Sequence, residues 1–149
     1  MEQLFVSSST EETQEIAGRL ASGLEKGTTL CLYGSLAAGK TTFTQGLAYF
    51  FGISRLVSPT FIIMRQYPVN SHPVIKTLYH LDLYRLNSIE EIKAFDVEEI
   101  WSDPTNLLVI EWPEKFQDIL PKHRTDIFLK ATTENEREIR IINHQTSPS

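Results

Sequence analysis

Cysteine is almost absent: Cys31 is the single one among 149 residues. A lone cysteine excludes a disulfide framework and a zinc site built on several thiolates. Set in the apolar run Leu30-Cys31-Leu32-Tyr33, it reads as a small buried hydrophobe. Long apolar runs are missing too, since none approaches the ~18 residues of a membrane-crossing helix. The start Met1-Glu2-Gln3-Leu4-Phe5 lacks the basic opening and apolar centre of a secretion signal. The expectation is a cytoplasmic protein without membrane contact. Positive charge is also short, with 14 Lys+Arg against 19 Asp+Glu, a net −5, and no cluster of four basic residues. Proteins that grip nucleic acid by its phosphates need a basic surplus to displace counterions. Autonomous RNA or DNA binding is therefore disfavoured, which leaves open a local basic patch or RNA held by a partner.

What is present describes one globular domain. A hydrophobic fraction of 41% and a charged fraction of 22% are ordinary for a soluble protein, and a chain of this size buries roughly 68–70% of its unfolded surface. We expect a single domain over 1–143 and a flexible tail over 144–149. Gln3 to Ser7 reads as a strand. Ser9-Thr10-Glu11-Glu12 offers a hydroxyl cap and first-turn acids to a helix with Ile16, Ala17, Leu20, Ala21 and Leu24 on one face, ended by Gly27. Thr28 to Tyr33 is a continuous apolar run, the pattern of a buried strand. A second helix is expected from about Thr41 to Phe51, stopped at Gly52. Thr60 to Tyr67 and Val74 to Leu83 are extended runs around the hairpin loop Pro68 to Pro73. Short helices over Ser88 to Trp101, a strand Asn106 to Glu111, and strands Asp126 to Lys130 and Glu138 to Asn143 complete the chain. The class is α/β: a mixed sheet flanked by helices, with antiparallel strands late in the chain.

The informative segment is Gly34-Ser35-Leu36-Ala37-Ala38-Gly39-Lys40-Thr41, a full match to the phosphate-loop pattern GxxxxGK[ST] between a buried strand and a helix. The chemistry needs this arrangement. Backbone N–H groups of the loop and helix start wrap a β-phosphate, and the helix dipole adds to the attraction. The Lys40 ammonium reaches the β- and γ-phosphates, and the Thr41 hydroxyl is placed for Mg²⁺. Guanine-selecting N-K-x-D and the switch D-x-x-G are both missing, which favours ATP. Hydrolysis also needs carboxylates. Glu111 ends the strand Leu107-Leu108-Val109-Ile110, where a metal-serving acid belongs; the alternative is a surface glutamate. Asp82, in Tyr79-His80-Leu81-Asp82-Leu83-Tyr84-Arg85, is a second candidate against a turn residue or an Arg85 partner. His80 reads as a packed or hydrogen-bonded histidine, and Trp112 as a core aromatic, with an aromatic near the nucleotide or a partner surface as the second reading.

Gly34 to Thr42, Ser58-Pro59-Thr60-Phe61, His80 to Leu86 and Ile110-Glu111-Trp112-Pro113-Glu114, in this order, resemble the TsaE family, formerly called YjeE. The similarity runs over nearly the whole chain. It implies a P-loop ATPase of tRNA threonylcarbamoyladenosine biosynthesis that acts by resetting two partners, TsaB and TsaD, which themselves modify the adenosine beside the anticodon. Contact with tRNA would then be indirect, through the complex. By the same resemblance Lys40 contacts phosphates, Thr41 and Glu111 serve Mg²⁺, Asp82 acts at the metal or its waters, and Thr60 lies near the γ-phosphate. The nucleotide would rest on Gly34, Ser35, Leu36, Ala37, Ala38, Gly39, Lys40, Thr41 and Thr42, with Thr10 touching it. The family usually writes the loop G-D-L-G-A-G-K-T, so Ser35 and Ala37 depart from it. If Ala37 takes the positive φ that glycine gives freely, strain of about 1–2 kcal/mol weakens binding. A small-molecule P-loop kinase is the alternative function, and a nucleotide-sensing module without turnover is a weaker third.

Overall fold

Two apolar runs lie at the centre of the sheet. Thr29–Tyr33 (β2) and Asn106–Glu111 (β5) pair in parallel and are buried along almost their whole length, as strands covered on both faces must be. The computed structural model describes residues 2–35, 38–56 and 63–144. The other strands are β1 (Glu2–Ser7), β3 (Met64–Pro68), β4 (Thr77–Asp82), β6 (Arg124–Ala131) and β7 (Arg137–His144). The helices are α1 (Thr10–Ser22), α2 (Lys40–Phe50), α3 (Ile89–Lys93) and α4 (Val97–Ser102), with a kinked 3₁₀ segment at Pro113–Ile119. Together the strands make one seven-stranded sheet in the order β1-β7-β6-β2-β5-β4-β3. β6, β2, β5 and β4 run parallel at its centre, and antiparallel pairs close both edges.

Alternation along the central strands builds two cores. Leu30, Leu32, Leu107 and Val109 face α1 and α2, packing with Ile16, Ala17, Phe43 and Leu47. Cys31, Leu108 and Ile110 face the other way, onto Ile92, Val97 and Leu120. Cys31 is fully buried, and burial pushes its thiol pKa far above the ordinary value. The crossover after β2 runs through α2 on the first face, whereas the one after β5 runs through the 3₁₀ segment on the second. Connections that part to opposite faces leave a crevice at the carboxyl ends of the strands, where open α/β sheets bind ligands.

The mixed sheet matches the expected class, but several boundaries differ. Helix α1 stops at Ser22, not at Gly27: Gly23 and Leu24 donate to the Leu20 and Ala21 carbonyls, an i to i−3 tightening that closes the helix early. Residues 74–76 precede β4 because His72 Nδ1 accepts from the Val74 and Ile75 amides at 3.0 and 2.9 Å, holding them in the loop. The 3₁₀ segment lies where the sequence suggests no element. β7 extends through His144, placed in the tail by the sequence analysis; its Nε2 meets Asp126 Oδ2 at 2.8 Å. Residues 145–149 lie outside the described residues. No helix among the described residues is long and apolar enough to cross a membrane.

Candidate functional site

The carboxyl end of β2 runs into Gly34 and Ser35, and the chain re-enters regular structure at Gly39, the N-cap of α2. Gly34 is required by contact: a Cβ there would lie 2.6 Å from the Leu129 carbonyl oxygen on β6. Gly39 is required by conformation, with φ at 101°. Ala38, fully buried, donates its N–H to the Ser35 carbonyl at 3.0 Å. Ser9 and Ser88 cap α1 and α3 with their hydroxyls, but no side chain caps α2 and no acid stands in its first turn. The positive end of an eleven-residue helix therefore meets the crevice with no capping side chain and no acid in its own first turn.

Lys40 opens α2 and is 4% exposed. Its Nζ has no hydrogen-bond partner among the described residues and sits 3.8 Å from the centroid of the Trp112 ring. A buried ammonium without an anion is costly. Lys40 and the uncapped helix start together form a cradle for a multiply charged anion, so the residues fit a nucleotide's phosphates. Thr41 is exposed and Thr42 half-buried on the next positions of the same turn.

The acids come from the neighbouring strands. Glu111, at the end of β5, is 7% exposed and therefore no surface glutamate. It lies in register with Leu32 on β2 and Asp82 on β4. Its Oε2 accepts from Nε2 of the fully buried His80 at 2.6 Å. His80 Nδ1 has no partner among the described residues. The histidine thus fixes one carboxylate oxygen. Asp82 Oδ1 accepts the Tyr84 N–H at 3.0 Å, closing a turn at the end of β4. Among the described residues no three His, Cys, Asp or Glu side chains converge on one point. Glu111 and Asp82 would supply the one or two carboxylates with which Mg²⁺ is held, phosphates and water completing its octahedron.

Two features escape a reading of the sequence. Thr10, Gly39 and Thr42 line one cavity of about 140 Å³ together with Glu134, Asn135 and Arg137 from the β6–β7 hairpin. Arg137 is tied to that turn through the carbonyls of Thr133, Glu134 and Glu136; nothing local in 134–137 announces its approach to the phosphate loop. Trp112 adopts φ 61° and ψ 44°, a left-handed conformation that costs a bulky residue roughly 1–3 kcal/mol and clusters at functional sites. Leu36, Ala37 and Thr60 lie outside the described residues.

Residues 7–139 match the family model described as threonylcarbamoyl adenosine biosynthesis protein TsaE. The chain is 38% identical over 130 residues to a Bacillus subtilis protein named tRNA threonylcarbamoyladenosine biosynthesis protein TsaE, covering 87% of this chain and 78% of that one. It is 39% identical over 140 residues to a Treponema pallidum protein of the same name, covering 91% and 97%. A crystal structure of Bacillus subtilis YdiB superposes with a TM-score of 0.76 at 31% identity, over 97% of this chain and 87% of that one.

Proposed function

The chain belongs to the TsaE family of threonylcarbamoyl adenosine biosynthesis, and on that premise we propose a Mg²⁺-dependent ATPase that serves this tRNA modification. The observation that carries the ATPase reading is the buried, unpartnered Lys40 ammonium at the uncapped start of α2. Backbone amides of the loop and Lys40 hold the phosphates, while the first turn of α2 offers the Thr41 hydroxyl to the metal. Bound Mg²⁺ supplies positive charge against the β- and γ-phosphate oxygens. Glu111, oriented by His80, would be the carboxylate that holds the metal. Asp82, its neighbour in register, adds a second negative group. The cavity bounded by Thr10, Thr42 and Arg137 extends from the phosphate loop and has room for part of the nucleoside.

On the same premise, the proposal extends to the partners: a TsaB–TsaD transferase complex, which hydrolysis by this chain resets between turnovers. The test is phosphate release measured with and without the two partner proteins. Slow hydrolysis that rises only in their presence is expected. Phosphate appearing on a small-molecule acceptor instead would make the protein a kinase.

Two expected results belong to this reading. At physiological salt the isolated chain, with its net charge of −5, binds tRNA weakly or not at all in a filter or gel-shift assay. Tight, salt-sensitive binding by the chain alone would contradict the indirect role. Asp82→Asn is the second: the amide oxygen still accepts the Tyr84 N–H, so the turn survives and only charge is lost. Turnover should fall about tenfold, the equivalent of 1.4 kcal/mol, at an unchanged thermal midpoint. Full activity would reduce Asp82 to a turn residue.

A further inference from the structure

Two anomalies meet at one place. Lys40 Nζ is shielded from solvent and has no hydrogen-bond partner among the described residues, its nearest described neighbour of note being the Trp112 ring at 3.8 Å. Trp112 reaches that position from a left-handed backbone at φ 61°, turned between Glu111 and Pro113. Tyr84 packs against the Trp112 ring in a tilted contact, with centroids 4.9 Å apart and planes at 50°. Lys115 in turn lies 5.5 Å over the Tyr84 ring and donates from Nζ to the Tyr84 carbonyl. The pairwise contacts form a chain Lys40–Trp112–Tyr84–Lys115, exposed at Tyr84 and Lys115 and buried at Lys40.

A desolvated ammonium over an indole is the strong form of the cation–π contact. It gives Lys40 a partner when no phosphate is there, and it competes with phosphate for the same ammonium. We propose that Trp112 is a positioning residue for Lys40: it holds the lysine on its indole face in the nucleotide-free chain, and phosphate binding exchanges that contact for the phosphate oxygens. The inference rests on Lys40 being the phosphate-binding lysine, as above. Because Trp112 follows Glu111 directly, the exchange couples arrival of the phosphates to the segment that carries the metal-serving carboxylate. The backbone strain at Trp112 is then the cost of aiming the ring at the lysine.

The experiment uses Trp112 as its own reporter. With Trp101→Phe as background, Trp112 is the one remaining indole. Its emission should change on titration with ATP-γ-S or pyrophosphate and stay constant with adenosine. In the same background Lys40→Met should shift the emission of the nucleotide-free protein, a readout that needs no nucleotide binding. Calorimetry should find ATP-γ-S bound several-fold more tightly by Trp112→Leu, with Trp112→Phe in between. If the leucine variant fails to fold, the two emission measurements still decide. Absence of ATP-γ-S binding by the wild type would sink the nucleotide reading itself. Binding that depends on Lys40, with unchanged or weaker affinity in Trp112→Leu and an emission indifferent to Lys40→Met, would overturn the role of Trp112 and leave that reading standing.

Discussion

Lys40→Ala is expected to abolish measurable ATP binding while leaving the fold intact. The described part of the phosphate loop holds no other cation, and what remains is hydrogen bonding from the loop amides and the helix start, the latter worth about 0.3–1 kcal/mol for an exposed charge. Hydrogen bonds between an ammonium and phosphate oxygens contribute about 1.5–3 kcal/mol each. Loss of two such bonds moves the dissociation constant by more than about 100-fold. Stability responds differently. The ammonium makes no hydrogen bond to the described residues and is shielded from water, so truncation removes a desolvated charge as well as its contact with Trp112. The two changes oppose each other, and the thermal midpoint should stay within about 2–4 °C of the wild type. Titration calorimetry with ATP-γ-S and Mg²⁺, paired with a melting curve, checks both halves. An affinity within threefold of the wild type would refute the assignment of the loop.

Much of this site is legible in the chain because its chemistry is local. The strand, loop and helix around Gly34 to Thr41 are contiguous, and the buried runs of β2 and β5 announce themselves by unbroken apolar residues. The Ser9 cap of α1 is equally local, since its hydroxyl accepts from Glu12 three residues on at 3.0 Å. What stays hidden is register. His80 meets Glu111 because β4 and β5 pair so that Asp82 stands beside Glu111; a histidine two residues earlier on the same face then reaches the carboxylate. No spacing within either segment carries that information. Arg137 enters the cavity near Thr42 by the same kind of tertiary accident, through a hairpin almost a hundred residues away. Trp112 looks like a core aromatic in sequence because a left-handed backbone at a bulky residue goes against local preference, and only the packed site makes it worthwhile. The early end of α1 has a local cause of another kind: the i to i−3 bonds at Gly23 and Leu24 compete with helix continuation, and the apolar periodicity through Leu24 cannot report which wins.

Removal of the charge at Glu111 is expected to separate binding from turnover, provided the substitution respects His80. Glu111→Ala leaves the histidine with both ring nitrogens unpartnered among the described residues at zero exposure. A buried polar group so orphaned costs about 1–3 kcal/mol, and a loss of activity would then mix chemistry with stability. Glu111→Gln keeps the contact, since the amide oxygen accepts the Nε2–H as the carboxylate does. In that variant the melting curve should be unchanged. Nucleotide affinity measured without Mg²⁺ should also hold, because the phosphates rest on Lys40 and the amides of the loop. Hydrolysis should fall roughly 10²–10³-fold, the scale on which a positioned acid or base acts. The alanine variant should share the loss of turnover and add a lower melting temperature, and the gap between the two melting curves measures the His80 contact. The decisive comparison is single-turnover hydrolysis against calorimetric affinity on the same preparations. Parallel losses of affinity and turnover in Glu111→Gln would make Glu111 a structural partner of His80 and return the search for the metal-serving carboxylate to Asp82, its neighbour in register.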